Sequence, residues 1–213
     1  SSLRYPLFMK SFCKIALIGF LTSFALGQDA AKKTVEEEKP AKPALGKEAT
    51  VIMSTSLGDI HIELDSKNAP ITVENFLKYV DAKHYDGTIF HRIIDNFMVQ
   101  GGGFKEKDGS FRKQSTRPPI KNESEKTPSN KRGTIAMART SAPNSATAQF
   151  FINVVDNPFL DYPNNGSGYA TFGKVVKGIK VVDKMKSLKT ASKNGMANVP
   201  TETVTIKSMK RVK

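Results

Sequence analysis

Thr88-Ile-Phe-His-Arg-Ile-Ile-Asp-Asn-Phe-Met-Val-Gln-Gly-Gly-Gly103 is the stretch on which the fold turns. Its β-branched and aromatic residues favour extended backbone, and Asp95-Asn96 is turn chemistry between two such runs. The spacing predicts a hairpin. Directly opposed residues of a hairpin share one face of the sheet. If Asp95-Asn96-Phe97 form a three-residue connection, Ile94 opposes Met98 and Arg92 opposes Gln100. A two-residue turn would instead send Arg92 and Gln100 to opposite faces. In the first register the Gln100 carbonyl can accept from the Arg92 fork and hold it in one rotamer, with no acid spent on the charge. The alternative is an arginine snorkelling from the sheet rim with its head in water. The run Gly101-Gly-Gly103 lacks phosphate-loop spacing and is a turn or close-packing device.

Outward from this hairpin, short strand patterns dominate. Ala49–Leu57 and Ile60–Leu64 alternate around Gly58-Asp59, a second hairpin. Val73, Phe76, Leu77 and Val80 recur at helical spacing after Pro70, which suits a first helical turn. Residues 104–133 are polar and broken by Gly, Pro and Asn, so they are expected to be mostly loop. Strand signals return at Gly133–Arg139, Gln149–Val155, Tyr169–Val176 and Val204–Met209. Ile179, Val182 and Met185 mark a second helix over Gly178–Ser187. Many short strands with one early and one late helix argue against a doubly wound α/β sheet. A mainly β fold, an antiparallel barrel with a helix over each open end, removes the exposed edges instead.

The chain ends of this pattern differ in composition. Residues 1–27 carry Arg4, Lys10 and Lys14 ahead of the apolar run Ile15–Leu26, with small residues at Ala25 and Gly27. This is the layout of a secretory signal cut before Gln28, and the run is short for a membrane span of about 20 residues. An uncleaved anchor is the alternative. Cys13, the single cysteine, precedes the apolar run, so a mature domain would contain no thiol and no disulfide. Residues 28–48, rich in Ala, Lys, Glu and Pro, bury too little to order themselves and form a linker. Residues 49–213 then constitute the folded domain.

Of the formal net charge of +13, the excess beyond the signal lies in residues 49–213, which hold 25 basic and 15 acidic residues. Such a surplus suits an anionic surface or nucleic acid. The scattered lysines and the absence of Trp favour a solvated cationic surface without specific nucleic-acid binding.

Three motifs in order, Phe90–Gly102, Gly133–Arg139 and Ser145–Asn153, resemble the cyclophilin-type peptidyl-prolyl cis–trans isomerases, and the similarity runs from about Ala49 to the C-terminus. Short loops make it similar to the bacterial exported or cytoplasmic branch, and the signal layout of residues 1–27 selects the exported, periplasmic one. The resemblance implies a closed antiparallel eight-stranded barrel capped by two α-helices. It also implies acceleration of rotation about X–Pro bonds, assisting the folding of exported proteins. Arg92 is the family's catalytic arginine, with Gln100 beside it. Phe97, Met98, Gln149, Phe151 and Leu160 are implied to bind substrate, as are Ala138, Arg139 and Thr140, which stand where many members have Ala-Asn-Ala. Phe159 replaces a tryptophan, which implies weak binding of cyclosporin-like macrocycles, and Tyr169 replaces a pocket histidine. The implied partners are proline-containing peptides and unfolded exported chains, bound by a monomer without cofactor or metal.

These residue types suit that reaction. The X–Pro barrier, near 20 kcal/mol, is amide resonance, and no bond is made or broken. Catalysis needs an apolar grip on the pyrrolidine and a donor that prefers the twisted amide, whose nitrogen regains a lone pair. Each apolar residue taken singly could equally be core. His61, His84 and His91 have no metal-ligand spacing, and no Ser/His/Asp arrangement forms a nucleophile motif. Two other classes remain: a peptide-binding chaperone with little turnover, and an anionic-surface binder acting through residues 105–139.

Overall fold

The computed structural model describes residues 49–212; the signal and linker assigned to residues 1–48 lie outside the described residues. Eleven strands and three helices follow in order. They are β1 Thr50–Thr55, β2 Gly58–Leu64, α1 Pro70–Asp81, β3 Thr88–Ile94, β4 Met98–Lys107, β5 Ser110–Lys113, β6 Thr134–Met137 and β7 Phe150–Asn153. After a 3-10 turn at Pro158–Leu160 come α2 Asn164–Ser167, β8 Thr171–Lys177, α3 Ile179–Lys186, β9 Thr190–Lys193, β10 Met196–Pro200 and β11 Ile206–Arg211.

Eight strands run in the order β11-β1-β2-β8-β6-β7-β4-β3, every pair antiparallel. The ends of that order meet at a thin seam. There Ile89 bridges Thr205, Gly87 N–H donates to Ile206 O at 2.7 Å and Phe90 N–H donates to Val204 O at 2.9 Å. The result is a nearly closed barrel, mainly β as the strand pattern predicts.

Two segments depart from expectation. The expected loop at 104–133 begins as a hairpin: β4 continues to Lys107 and β5 returns beside it, with Lys107 opposite Ser110 across Asp108-Gly109. The β9–β10 hairpin turns at Asn194-Gly195, both at positive φ (53° and 75°). An Asn-Gly turn of this kind matches the twist of its flanking strands. Neither hairpin carries a sustained apolar alternation: Phe111 is the one large apolar residue of β5, β9 buries nothing, and β10 buries only Val199 and Pro200 at its end. The pattern that marks a strand half-buried in a core is therefore missing. The expected two helices are α1 and α3; α2 is an additional short turn containing left-handed Asn165 and Gly166.

Helix α1 lays Val73, Phe76, Leu77 and Val80 on the barrel, and Phe76 meets Phe172, Tyr85 and Phe150 at ring-centroid distances of 4.9, 5.3 and 6.0 Å. Its first turn has no side-chain cap of its own. The buried Glu123 carboxylate fills that role from a distant loop, accepting from Ile71 N (3.2 Å), Thr72 N (2.8 Å) and the Thr72 hydroxyl (2.7 Å). An anion there satisfies orphan N–H groups and suits the positive end of the helix. On α3, Val182 and Met185 are fully buried.

Candidate functional site on the outer face of the barrel

Sheet register sorts the β3-β4-β7-β6 strands into rows. Ile93, Val99, Ile152 and Ile135 form one row of successive partners, all in the barrel core. One residue along, Arg92 opposes Gln100, Gln100 opposes Phe151 and Phe151 opposes Ala136. Side chains alternate along each strand, so this second row faces outward. Phe97 N–H donates to Ile94 O at 3.0 Å, closing the three-residue connection that sets the register.

Phe151 and Ala136 of this row belong, with Met98 and Leu160, to a buried apolar cluster separate from the core, and Ile94, Phe97, Ala138 and Tyr169 pack against it. Ile94 and Ala136 were not among the residues expected here; the strand alternation that carries Arg92 and Ala138 outward would have found them. Phe97 stacks on Phe159 at 5.6 Å and 28°, and Phe151 meets Tyr169 edge-on at 5.8 Å. Phe159 is 53% exposed, so this pair forms a rim, not core.

The scaffold under the rim is a polar network. Asn157 donates its Nδ2 to Phe97 O (2.9 Å) and Asn153 Oδ1 (2.8 Å), fixing the hairpin turn. Asn153 Nδ2 donates in turn to Thr134 Oγ1 (2.9 Å). Burial would raise the pKa of Asp161, but hydrogen bonds from the Ser129 hydroxyl and from Asn130 outweigh it and hold the carboxylate below its usual value. Tyr169 N–H donates to Leu160 O at 2.8 Å, which ties the rim to the cluster. These asparagines lie one strand or loop behind the apolar residues, and only the fold brings them together.

Arg92 is half-buried at the end of its row, with Nη1 donating to Gln100 Oε1 at 3.4 Å. Gln100 Nε2 donates onward to Gln149 Oε1 at 3.0 Å. Among the described residues no carboxylate pairs with Arg92; Asp95, the nearest acid in sequence, faces Lys186 at 3.3 Å. Gln149 lies over Gly103, where a Cβ would meet the glutamine Cδ at 2.5 Å. Glycine is therefore required at 103 to leave that side chain its place. His91 points the other way, buried against Phe104 at 4.7 Å.

Ala138 N–H donates to Gln149 O at 2.9 Å, while exposed Thr140 has its N–H satisfied by Ser145 Oγ at 2.9 Å. The Arg139 guanidinium lies 4.4 Å from the centre of the Tyr169 ring and donates to Gly168 O (2.9 Å), Asn165 O (2.8 Å) and Thr140 O (2.9 Å). Its charge serves the α2 turn and the Tyr169 ring, leaving backbone for any contact to a passing chain. Of the expected residues, Arg92, Gln100 and Gln149 are thus linked in one chain, and Phe97, Met98, Ala138, Phe151, Leu160 and Tyr169 share the apolar cluster. Phe159 and Arg139 touch it through Phe97 and Tyr169, and Thr140 makes only local contacts.

A family model described as "Cyclophilin type peptidyl-prolyl cis-trans isomerase/CLD" matches residues 50–211. The chain is 50% identical over 163 residues to peptidyl-prolyl cis-trans isomerase A of Dickeya dadantii, covering 76% of this chain and 84% of that one. It is 52% identical over 165 residues to the isomerase cyp18 of Streptomyces antibioticus, covering 76% and 98%. A crystal structure of a Cryptosporidium parvum cyclophilin-type isomerase, determined in the presence of the dipeptide Ala-Pro, superposes with a TM-score of 0.61 at 26% identity, covering 75% of this chain and 96% of that one. The chain belongs to the cyclophilin-type peptidyl-prolyl cis–trans isomerases.

Proposed function

We propose that the row Arg92–Gln100–Phe151–Ala136 is the catalytic surface, and that the protein turns X–Pro bonds in exported chains as they fold. The observation that carries this reading is the Arg92 guanidinium, held by a neutral amide above an apolar cluster with no carboxylate partner among the described residues. Phe97, Met98, Phe151 and Leu160 grip the pyrrolidine ring, and Phe159 and Tyr169 form the rim. Arg92 donates to the amide nitrogen as it pyramidalises, an interaction that the planar ground state cannot make. A thousandfold acceleration requires about 4 kcal/mol, within reach of one charge-assisted hydrogen bond plus orientation in a partly dry site. Gln100 and Gln149 are positioning residues for Arg92. The backbone of Arg139, between the already satisfied Ala138 and Thr140 N–H groups, holds the flanking peptide in extended form.

Export and a periplasmic location are supported by the basic start and apolar run of residues 1–27; if that segment stays uncut, the domain is tethered to the membrane. Macrocycles of the cyclosporin kind bind weakly, because Phe159 offers a ring but no indole N–H donor. The domain acts as a monomer and without specific nucleic-acid partners.

The test is cis-to-trans exchange in a short Ala-Pro-Phe peptide, read by NMR, beside binding of the same peptide. Arg92→Ala is expected to lower kcat/KM by about a hundredfold or more while peptide affinity falls only a few-fold. Loss of affinity with unchanged turnover per bound peptide, or a wild type that binds without accelerating exchange, would make this face a binding module.

A further inference from the structure

Beyond the glutamine pair, the outer face continues into a row of cations. Gly103 and Lys105 are two residues apart on β4, so they point to the same face about 7 Å apart, and Gln149 lies on that face at Gly103. Arg112 of β5 stands directly opposite Lys105. Like charges in directly opposed positions destabilise a strand pair. Gln114, two residues past Arg112, donates its backbone N–H to Gly103 O at 3.0 Å and its side-chain amide to Arg112 O at 3.0 Å.

Arg117 extends the row. Its N–H donates to the Tyr79 hydroxyl at 2.7 Å and its guanidinium sits 5.8 Å from the Tyr79 ring centre. The Tyr79 ring meets His84 at 4.6 Å, and His84 Nε2 is 3.3 Å from Gly102 O. Burial first, and then the charges of Lys105 and Arg117, hold the His84 imidazole below its usual pKa, so both cations bear on one ring. Among the described residues no carboxylate forms an ion pair with Lys105, Arg112 or Arg117. The acid between them, Glu106, points to the opposite face and is spent on Lys193 and the Thr203 hydroxyl.

We infer that Lys105, Arg112 and Arg117 form a cationic shelf that takes acidic side chains of the peptide whose prolyl bond occupies the apolar cluster, making acid-flanked X–Pro segments the preferred substrates. This rests on the isomerase reading of the Arg92 face. A peptide is the occupant because the shelf continues the strand face that carries Gln100 and Gln149. The repulsion between Lys105 and Arg112 is relieved when carboxylates lie across them.

The experiment compares kcat/KM on peptides with one Ala-Pro bond and either three Glu or three Gln placed on one side of it, with both directions made. In the wild type one acidic peptide is expected to exceed its neutral match by roughly fivefold at low ionic strength, since exposed pairs contribute little each and add over the shelf. That ratio should fall toward one in about 0.5 M salt, where screening is nearly complete over these distances. It should also fall toward one in Lys105→Gln/Arg112→Gln/Arg117→Gln. The exposed single change Arg112→Glu, a safer fold, should lower the ratio by itself. Ratios near one for both directions in the wild type overturn the shelf, while activity on the neutral peptides keeps the isomerase reading intact. A fluorescent single-stranded oligonucleotide that binds with steep salt dependence while the peptide ratios stay near one also overturns it, in favour of nucleic acid.

Discussion

Arg92 and Gln100 face each other across the β3–β4 hairpin, joined by a 3.4 Å hydrogen bond from guanidinium to amide oxygen. The amide fixes the fork without neutralising it. Lysine in that place would keep the charge but lose the planar, two-ended donor that glutamine can orient. Arg92→Lys is therefore expected to retain part of the activity, roughly ten- to a hundredfold below wild type in kcat/KM and above Arg92→Ala. Equal activities for the two variants would mean that charge alone, without orientation, is irrelevant at this position.

The neutrality of residue 100 is itself testable. In Gln100→Glu a carboxylate stands directly opposite Arg92, draws the guanidinium into an ion pair and meets the Gln149 oxygen that now accepts from Gln100. The pair favours the folded state, so the thermal midpoint should hold or rise, while kcat falls about tenfold because the donor must leave an anion to reach the substrate. An unchanged kcat with a formed ion pair would remove the amide from the mechanism.

A side chain at Gly103 would meet Gln149 first. A methyl group there would sit 2.5 Å from the glutamine Cδ, a distance at which one side must move. Gly103→Ala is expected to swing Gln149 out, remove the acceptor for Gln100 Nε2 and lower kcat/KM about three- to tenfold with a KM change below twofold. Restoration by Gly103→Ala combined with Gln149→Ala would not occur, since both changes delete the same contact. A double variant as active as wild type would show that Gln149 positions nothing.

How much of this was visible beforehand depends on range. The β3–β4 hairpin was legible because Asp95-Asn96 marks its turn, but the sequence left two turn lengths open, and the Phe97 N–H bond to Ile94 O selects the register that opposes Arg92 to Gln100. The helices at Pro70–Asp81 and Ile179–Lys186 were legible because an amphipathic period survives without knowledge of the partner. The assignment of Phe97, Met98, Phe151 and Leu160 to one outer cluster was not a pattern in the residues; apolar side chains look alike whichever face they take, and the family resemblance supplied it. The β4–β5 extension shows no apolar period because residues 104–113 lie outside the core, and their two aromatic residues, Phe104 and Phe111, share one face with Glu106 and Lys113. The Glu123 cap on α1 and the Asn157 brace under Phe97 join residues 51 and 60 apart, and no local rule reaches that far.

His91, next to Arg92 and on the opposite face, gives the fold a pH dependence. Its ring is buried against Phe104, and Nδ1 finds no hydrogen-bond partner among the described residues. Burial lowers its pKa to about 4, with the neighbouring Arg92 charge acting in the same direction. The unfolded chain titrates near 6.5. Above that value neither state carries a proton there, and the full contribution to stability is present. As pH falls from about 6.5 to 4 the unfolded chain takes up a proton that the folded state refuses, so stability falls, by about 3 kcal/mol over the whole interval. Urea midpoints at pH 7.5 and pH 5 for the wild type and His91→Leu should differ in slope whatever the baseline stability of the variant. The wild type is expected to lose about 2 kcal/mol more than the variant between those two values. Parallel losses would mean that His91 is protonated in the folded barrel near neutrality, and that its ring reaches water past Phe104.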